Sequence, residues 1–522
     1  MMPGGPVLGI DMGTRYALAA VHCAGKGARL IPNRRGQMKT PSVVCRDSGQ
    51  WLVGEDALAR AQVSGVGVFW DIKRHLGCDW APWIDGRHRS AQELLVPLIA
   101  AVREDCEAHL SMVLTRCVIT VPAQFSFLER SAMARVAREA GFEDIRILNE
   151  PTAAALACES AGRVLVFDFG GGTVDLSIVE RDGQTWQVLE SRGDAKLGGV
   201  ELDRVLSRYL QDQLGLSLDL GSPLEIVLLN EAERIKCDLS FREKLTWRFP
   251  VQLEGQDREI SVRRDMIETL FVPWLQKSVD LAVSLCRYYE PESVIMVGGS
   301  SRIPLLRRLL SQKIPVPVRL WRSPDEAVAL GAALYGNNGD GQLLLDVLSE
   351  SLGIIAFDGQ PVPLLRKGHP LPARSVRAFR SVTDGDFSLK LYQGAPGLVR
   401  RYRTIAVLDL QNMRCGERVD LDFRIDAGGL LQVHLAREAG DPISIAPLEL
   451  GVSGRRRPAT SLEVLERRVA ALASGLSLGQ QGRLANLFRK TRLLRDLEPQ
   501  FFDEGMKGLS RMVDALEETI YS

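Results

Sequence analysis

Val164-Leu165-Val166-Phe167-Asp168-Phe169-Gly170-Gly171-Gly172-Thr173 is the stretch whose reading decides the architecture. An apolar run suited to a buried strand ends in Asp168, turns through three glycines and Thr173, and gives way to a second apolar run from Val174 to Val179. A glycine inside a regular element costs about 0.5–1 kcal/mol against alanine, so three in a row predict a turn whose backbone must stay open. Open N–H groups at the end of a strand suit a polyphosphate. Outward from here the same pattern recurs near the start: Val7, Leu8 and Ile10 lead to Asp11, Gly13 and Thr14, and Tyr16 to Val21 returns. One copy reads equally well as ordinary Asp and Gly turn chemistry; two copies predict a clamp made of two related halves. Asp11, Asp168 and Asp175 would repel a phosphate unless a cation lay between, and Mg²⁺ keeping several waters is the fitting ion.

A third glycine turn, Gly298-Gly299-Ser300-Ser301-Arg302, follows the apolar run Val294 to Val297 and precedes a helical pattern from Leu305 to Leu310. Strand, glycine pair and helix start together form a nucleotide-binding geometry. The chain contains no GxxxxGK[ST] and no GxGxxG, so the nucleotide is expected between two lobes rather than on a Walker or Rossmann loop.

The residues then point to a family. GIDMGT at Gly9, IKR at Ile72, VITVPAQF at Val118, ILNEPTAAALA at Ile147, FDFGGGTVDLSIVE at Phe167, GDAKLGG at Gly193, EAERIKCDLS at Glu231, VGGSSRIP at Val297 and SPDEAVALGAAL at Ser323 occur in one order over the first 340 residues. In these stretches the chain resembles the seventy-kilodalton heat-shock chaperones of the DnaK type. The resemblance implies a multidomain chain: a two-lobed α/β ATPase domain of the actin and hexokinase architecture over 1–340, an apolar linker over 341–350, a β-sandwich that binds peptides over 351–453, and a short helical lid over 454–522. It also implies ATP or ADP with Mg²⁺, and K⁺ as a further cation. By the same resemblance Asp11, Gly13, Thr14, Gly170, Gly171, Gly172, Thr173 and the acids Asp168 and Asp175 hold phosphate and metal, with Arg15 beside them. Lys73 matches the catalytic lysine and Glu150 the acid that organises the attacking water. Glu233, Lys236, Ser240, Gly298, Gly299, Ser300, Arg302 and Asp325 match the adenosine site. Read without the family, Lys73 is a solvated surface lysine and Glu150 a helix-start charge before Pro151.

Departures accompany the matches. Arg15 stands where a second threonine is usual, so a long cation either adds a phosphate contact or points away. Cys237 occupies a position beside adenine, where a small apolar residue suffices. The chain is short between Gly77 and Ser90 and around Gly255, so a standard exchange factor is not expected to fit.

Leu343, Leu344, Leu345 and Asp346 read as a strand or helix edge, and the resemblance makes them a linker that docks in one nucleotide state and frees itself in the other. From Ser351 to about Val452 short alternating stretches dominate. In Asp420 to Ala436, Leu421, Phe423 and Ile425 alternate with polar residues, 427–429 turns, and Leu431, Val433 and Leu435 alternate back. Phe379, Phe387 and Leu389 are expected near the peptide pocket, with Phe387 large for its centre; as residues alone they read equally as core. After Pro458 helical spacings run to the end, a lid shorter than the family's. Arg146, Asn149 and Thr152, with Asp346, match J-domain contacts, and the unusual Gln124, Ser126 and Phe127 beside them suggest a dedicated J-domain partner.

Sixty-five basic against 65 acidic residues give no bulk attraction to nucleic acid or membrane. Nine cysteines without a CxxC pair, and a start lacking a charged and then apolar leader, predict reduced thiols in the cytoplasm. A sugar or acetate kinase, or an actin-like scaffold, would share the paired turns but leave residues 351–522 without a task. The expected function is therefore an ATP-driven peptide chaperone, the alternative being a switch of the same family devoted to one client or partner.

Overall fold

The computed structural model describes residues 5–445 except 24–26, 65–66, 160–161, 219–222, 251–256, 338–342, 357–359, 383, 395–401 and 438–442. The chain divides into two compact units, Met1–Gly451 and Val452–Ser522. The expected helical lid over 454–522 lies outside the described residues.

Two sheets of the same plan form the lobes. In the first, Leu8–Met12 pairs antiparallel with Tyr16–Cys23, which pairs antiparallel with Gly27–Ile31; on its other side lie the parallel strands Arg116–Val121 and then Asp144–Asn149. In the second, Gly162–Phe169 pairs antiparallel with Val174–Asp182 and that with Thr185–Asp194; its parallel neighbours are Ser293–Val297 and then Val318–Leu320. Over these five strands order and sense match, so the repeated sequence pattern corresponds to a duplicated fold, with Asp11 and Asp168 at equivalent places in the first hairpin of each. Leu8, Ile10, Leu165 and Phe167 are completely buried, because these central strands are covered on both faces and need apolar side chains throughout.

The halves are tied by exchanged helices. Glu150–Cys158 leaves the last strand of the first sheet yet packs on Gly162–Phe169 and Val174–Asp182 of the second; Ala327–Asn337 leaves the second lobe and packs on Leu8–Met12 and Tyr16–Cys23 of the first. Their sequences, EPTAAALAC and AVALGAALYGN, are rich in Ala and Gly because the two helices touch. A Cβ on Gly331 would overlap the Ala153 carbonyl, so only glycine permits this crossing.

Each lobe carries an insertion that walls the cleft. The first contributes a small sheet of Val44–Asp47, Gln50–Val53 and Val68–Phe69, the helical turn Ile72–His75 and the helix Ala91–Leu110. The second contributes the helices Gly199–Leu214 and Pro223–Phe241, the hairpin Lys244–Arg248 with Glu259–Arg263, and the helix Arg264–Tyr289.

Two four-stranded antiparallel sheets follow the lobes. One is ordered Pro361–Leu365, Leu352–Ile355, Gly385–Gly394, Tyr402–Met413; the other is Ala373–Arg380, Arg418–Ile425, Leu431–Arg437, Ile443–Ile445. Leu421, Phe423, Ile425, Leu431, Val433 and Leu435 all point into the core, as their period of two requires. Leu389 is buried in that core and Phe379 packs partly against it. Phe387 pairs through its backbone with Leu410, and its side chain lies outside the described residues.

The core of this sandwich also takes in a residue of the first lobe. Phe127, the first residue of the helix Phe127–Glu139, is 3% exposed and clusters with Leu348, Leu371 and the sandwich strands, with Leu128 packed beside it. Its N–H donates to Gln393 Oε1 at 2.9 Å, and Arg403 reaches Glu129 at 3.3 Å. Ser126 caps the helix, accepting from the Glu129 N–H while the Glu129 carboxylate accepts from the Ser126 N–H at 2.7 Å. Two of the unusual residues read as signs of a dedicated partner thus have tasks inside the chain: one caps, the other packs into the sandwich core.

Candidate functional site

The two glycine turns face each other across a cleft of about 480 Å³, within the size range of small-ligand sites. Asp11, Gly13, Thr14, Arg15, Lys73, Glu150, Asp168, Gly170, Gly171, Gly172, Thr173, Glu233, Lys236, Ser240, Gly298, Gly299, Ser300, Arg302 and Asp325 all line it. Asp175 stands behind the wall, 1% exposed, with Oδ1 accepting from the Ala123 N–H at 3.1 Å.

Local folding explains the approach of backbone to cleft. Gly298 ends its strand with φ +82°, and a Cβ there would overlap the Asp168 carboxylate and the Phe169 carbonyl, so glycine is required on both counts. Ser300 Oγ donates to the Gly170 carbonyl at 2.9 Å, and the N–H groups of Gly199 and Val200 donate to the carbonyls of Gly170 and Gly171. The Gly170 N–H closes the turn by donating to the Thr173 carbonyl at 3.0 Å, so the second glycine turn is held from within and from outside, and it is the backbone of Gly171 and Gly172 that is offered to the cleft.

Charge at the closed end is lopsided. Lys73 is 4% exposed and forms an ion pair with Glu150, with the Phe125 ring 5.7 Å from its ammonium. The residue-only reading of a solvated lysine is overturned: the turn Ile72–His75 places this side chain inside. Around it stand Asp11, Asp168 and Asp175. Burial, and after it the Glu150 carboxylate, pushes Asp11 up to about 7 and Asp175 up to about 7, and raises Asp168 well above the ordinary value, against the pull of Lys73. Three buried carboxyl groups, Glu150, Asp168 and Asp175, with the partly exposed Asp11 beside them, face one buried ammonium, a site that is incomplete without further positive charge. Among the described residues no three His, Cys, Asp or Glu side chains converge as a direct metal cage. Hard oxygen donors set back in this way suit an ion that keeps most of its own waters.

The open end is built from paired charges. Lys236 bonds Asp203 at 2.6 Å and the Gly199 carbonyl at 3.1 Å; burial pushes Asp203 up to about 6, with Lys236 opposing. Ser240 donates to the Lys236 carbonyl. Burial would raise Asp325, but hydrogen bonds from Lys39 and Arg302 outweigh it and hold the acid below its ordinary value. Arg302 also lies 6.0 Å from the Phe241 ring. Sequence reasoning missed Tyr16, Lys39 and Phe241, which join Cys237 on this wall. Lys39 is 286 positions from its partner Asp325, and no local pattern announces that pairing.

A family model described as Hsp70 protein matches residues 7–89 and 82–444, a span that contains every residue of the cleft. The chain belongs to the Hsp70 family. Hsp70 proteins are ATP-dependent chaperones that bind ATP or ADP with Mg²⁺ and engage client peptides and co-chaperones.

In this Hsp70 protein the segment expected to be a linker forms a strand. Leu343–Leu345 adds in parallel to Thr185–Asp194, with Leu343, Leu344 and Leu345 opposite Thr185, Trp186 and Gln187. Leu344 packs partly into the cluster that holds Trp186 and Val188. Asp346 follows, 5% exposed, and accepts from Asn149 Nδ2 at 2.7 Å and from the Val347 N–H at 2.8 Å, with the Thr152 hydroxyl at 3.4 Å. Asn149 Oδ1 accepts from Arg130 at 2.6 Å, and Arg130 also reaches the Gly428 carbonyl, in the turn of the sandwich, at 3.2 Å. Burial raises Asp346 above its ordinary value against the pull of these donors. Asn149 and Thr152, expected to meet a J-domain, are here bound to Asp346; Arg146 is partly exposed beside Asp144 at 4.0 Å. Among the described residues no helix is long and apolar enough to cross a membrane.

Proposed function

We propose that this Hsp70 protein hydrolyses ATP in the cleft and uses the reaction to control the grip of the sandwich on extended apolar peptides. Residues 1–340 act as the ATPase, 341–350 as the linker, 351–453 as the peptide holder, and 454–522 as its cover. The observation that carries this reading is the buried Lys73–Glu150 pair set among Asp11, Asp168 and Asp175 between two facing glycine turns.

Phosphoryl transfer to water depends mainly on positioning and on neutralising charge. The turns at Gly13 and at Gly171 and Gly172 bind phosphate oxygens through backbone N–H groups, with Gly170 shaping the second turn, and Thr14 and Thr173 add hydroxyl donors. Glu150 orients the attacking water while Lys73 supplies positive charge to the oxygens that become more negative. Asp11, Asp168 and Asp175 would hold Mg²⁺ through its waters, and the ion would supply charge neutralisation of the polyphosphate. Glu233, Lys236, Ser240, Arg302 and Asp325 position the nucleoside. Phe379, Phe387 and Leu389 belong to the peptide side, and Arg146 offers the exposed charge for a J-domain.

The experiment is steady-state ATP turnover by the full chain with a panel of unrelated extended apolar peptides. Acceleration by many of them supports the chaperone reading. Indifference to all of them, with slow turnover intact, favours the second reading, a switch devoted to one client or partner. Phe127 speaks for that second reading, because an aromatic anchor biases the sandwich toward its docked place.

The raised carboxyls make metal loading depend on pH. With folded values near 7 for Asp11 and Asp175 against an ordinary 3.8, the ligand-free protein keeps protons that the unfolded chain has lost. Their contribution to its stability is full below about 4 and is lost as pH rises through about 7. Ion binding runs the other way, since the acids must be ionised. Mg²⁺-ADP is therefore expected to raise the unfolding temperature more at pH 8 than at pH 6, measured by calorimetry; equal shifts at both pH values contradict this.

A further inference from the structure

Arg15 crosses the cleft. It belongs to the glycine turn of the first lobe, but its stem passes over the turn of the second, where a Cβ on Gly171 would come 2.8 Å from Arg15 Cγ. Nη2 meets Glu233 Oε2 at 2.6 Å, on the second lobe's helix Pro223–Phe241, and both side chains are mostly buried, 11% and 16% exposed. The indole of Trp70, from the first lobe, lies 4.7 Å from the guanidinium carbon. Arg15 Nε is buried and has no hydrogen-bond partner. One first-lobe side chain is therefore stacked at home, paired across the gap, and left with a donor unused on the wall of the ligand cavity.

These features separate Arg15 from a surface ion pair. A screened surface pair contributes little, whereas removing one member of a buried pair strands the other charge away from water. Arginine keeps its charge at every working pH, and its planar fork bonds Glu233 while leaving Nε for another acceptor. An oxygen-rich ligand is the natural complement of that orphan donor. For the lobes to part, the Arg15–Glu233 bond must break, since its ends belong to different lobes.

We propose that Arg15 and Glu233 form a clasp across the cleft that sets how long a nucleotide stays, with Arg15 Nε donating to an oxygen of the bound nucleotide. This rests on the cleft being a nucleotide site. It assigns to the chain itself a control over release that does not require an outside factor.

The test is stopped-flow release of a fluorescent ADP, with Mg²⁺, from the full chain and from Arg15→Thr, Arg15→Lys, Glu233→Gln and the double variant Arg15→Thr/Glu233→Gln. Release from Arg15→Thr is expected to be about tenfold faster than from wild type, and from Arg15→Lys intermediate. The double variant is expected to fall short of the product of the two single effects, the mark of a direct pair. Binding stoichiometry and unfolding temperature, measured alongside, separate a lost clasp from a lost fold; Arg15→Lys carries the test if the threonine variant does not fold. Unchanged release from Arg15→Thr and Arg15→Lys, or strictly multiplicative single effects, overturns the clasp. A wild-type chain that binds no ADP overturns the nucleotide reading and the clasp with it, a result distinct from wild-type binding with variants indifferent.

Discussion

Lys73→Ala is expected to slow ATP hydrolysis by about 10²–10³-fold, the range for removing one preorganised stabilising donor. The expectation follows from where the ammonium sits. It is buried beside Glu150 and facing Asp11, Asp168 and Asp175, so its charge acts in a medium that screens poorly, and among the described residues that line the closed end of the cleft it is the one cation. Binding should suffer less than chemistry, because the glycine turns and the open end, with Glu233, Arg302 and Asp325, remain. Single-turnover hydrolysis read against Mg²⁺-ADP affinity separates the two: a large fall in rate with affinity kept within about tenfold is the expected result. Because the variant leaves Glu150 without its partner, Lys73→Met and Glu150→Gln belong in the same series. Turnover within threefold of wild type in all three would remove Lys73 from the chemistry.

Phe127→Asp is expected to release the sandwich from the first lobe. Truncating a buried phenylalanine costs about 3–5 kcal/mol, and a carboxylate in the same contact adds a desolvation cost. Taking about 3 kcal/mol as the part felt by docking alone, the docked fraction relative to the free should fall about a hundredfold. Amide hydrogen exchange is the direct measure, with protection lost at residues 343–348 while the lobe strands Leu8–Met12 and Gly162–Phe169 keep theirs. Protection unchanged throughout would mean that the Phe127 side chain is a passenger and that the polar contacts, Arg130 with Gly428, Gln393 with the Phe127 N–H and Arg403 with Glu129, hold the sandwich.

How much of this was legible beforehand follows from distance along the chain. The paired turns were, because Asp11 and Asp168 each end an apolar run and each meet glycine within two residues; local chemistry and final position coincide. The sandwich was legible through Leu421, Phe423 and Ile425, whose alternation is the geometry of a strand with one face inside. The partners of Arg15 and Lys39 were not, since each lies more than two hundred positions away and depends on how two lobes meet. Lys73 shows both sides: its residue type and spacing suggest only a solvated cation, and only the resemblance pointed inward. Phe127 stands out in the sequence yet suggests an outside partner, because a single apolar residue at a helix start does not say which surface covers it.

The segment proposed as the linker makes four consecutive residues answer to both lobes. Leu343 to Leu345 are registered against Thr185 to Gln187 in the second lobe, and Asp346 is fixed to Asn149 in the first. A strand advances by about 3.3 Å per residue, so both attachments hold only while the lobes stand at one separation. When they turn relative to each other, the segment can keep its place on one side alone, and the choice falls to the weaker attachment. In the proposed switch this segment would work as a gauge between the two halves: what passes from cleft to sandwich would be a length, read by the number of residues between two fixed points.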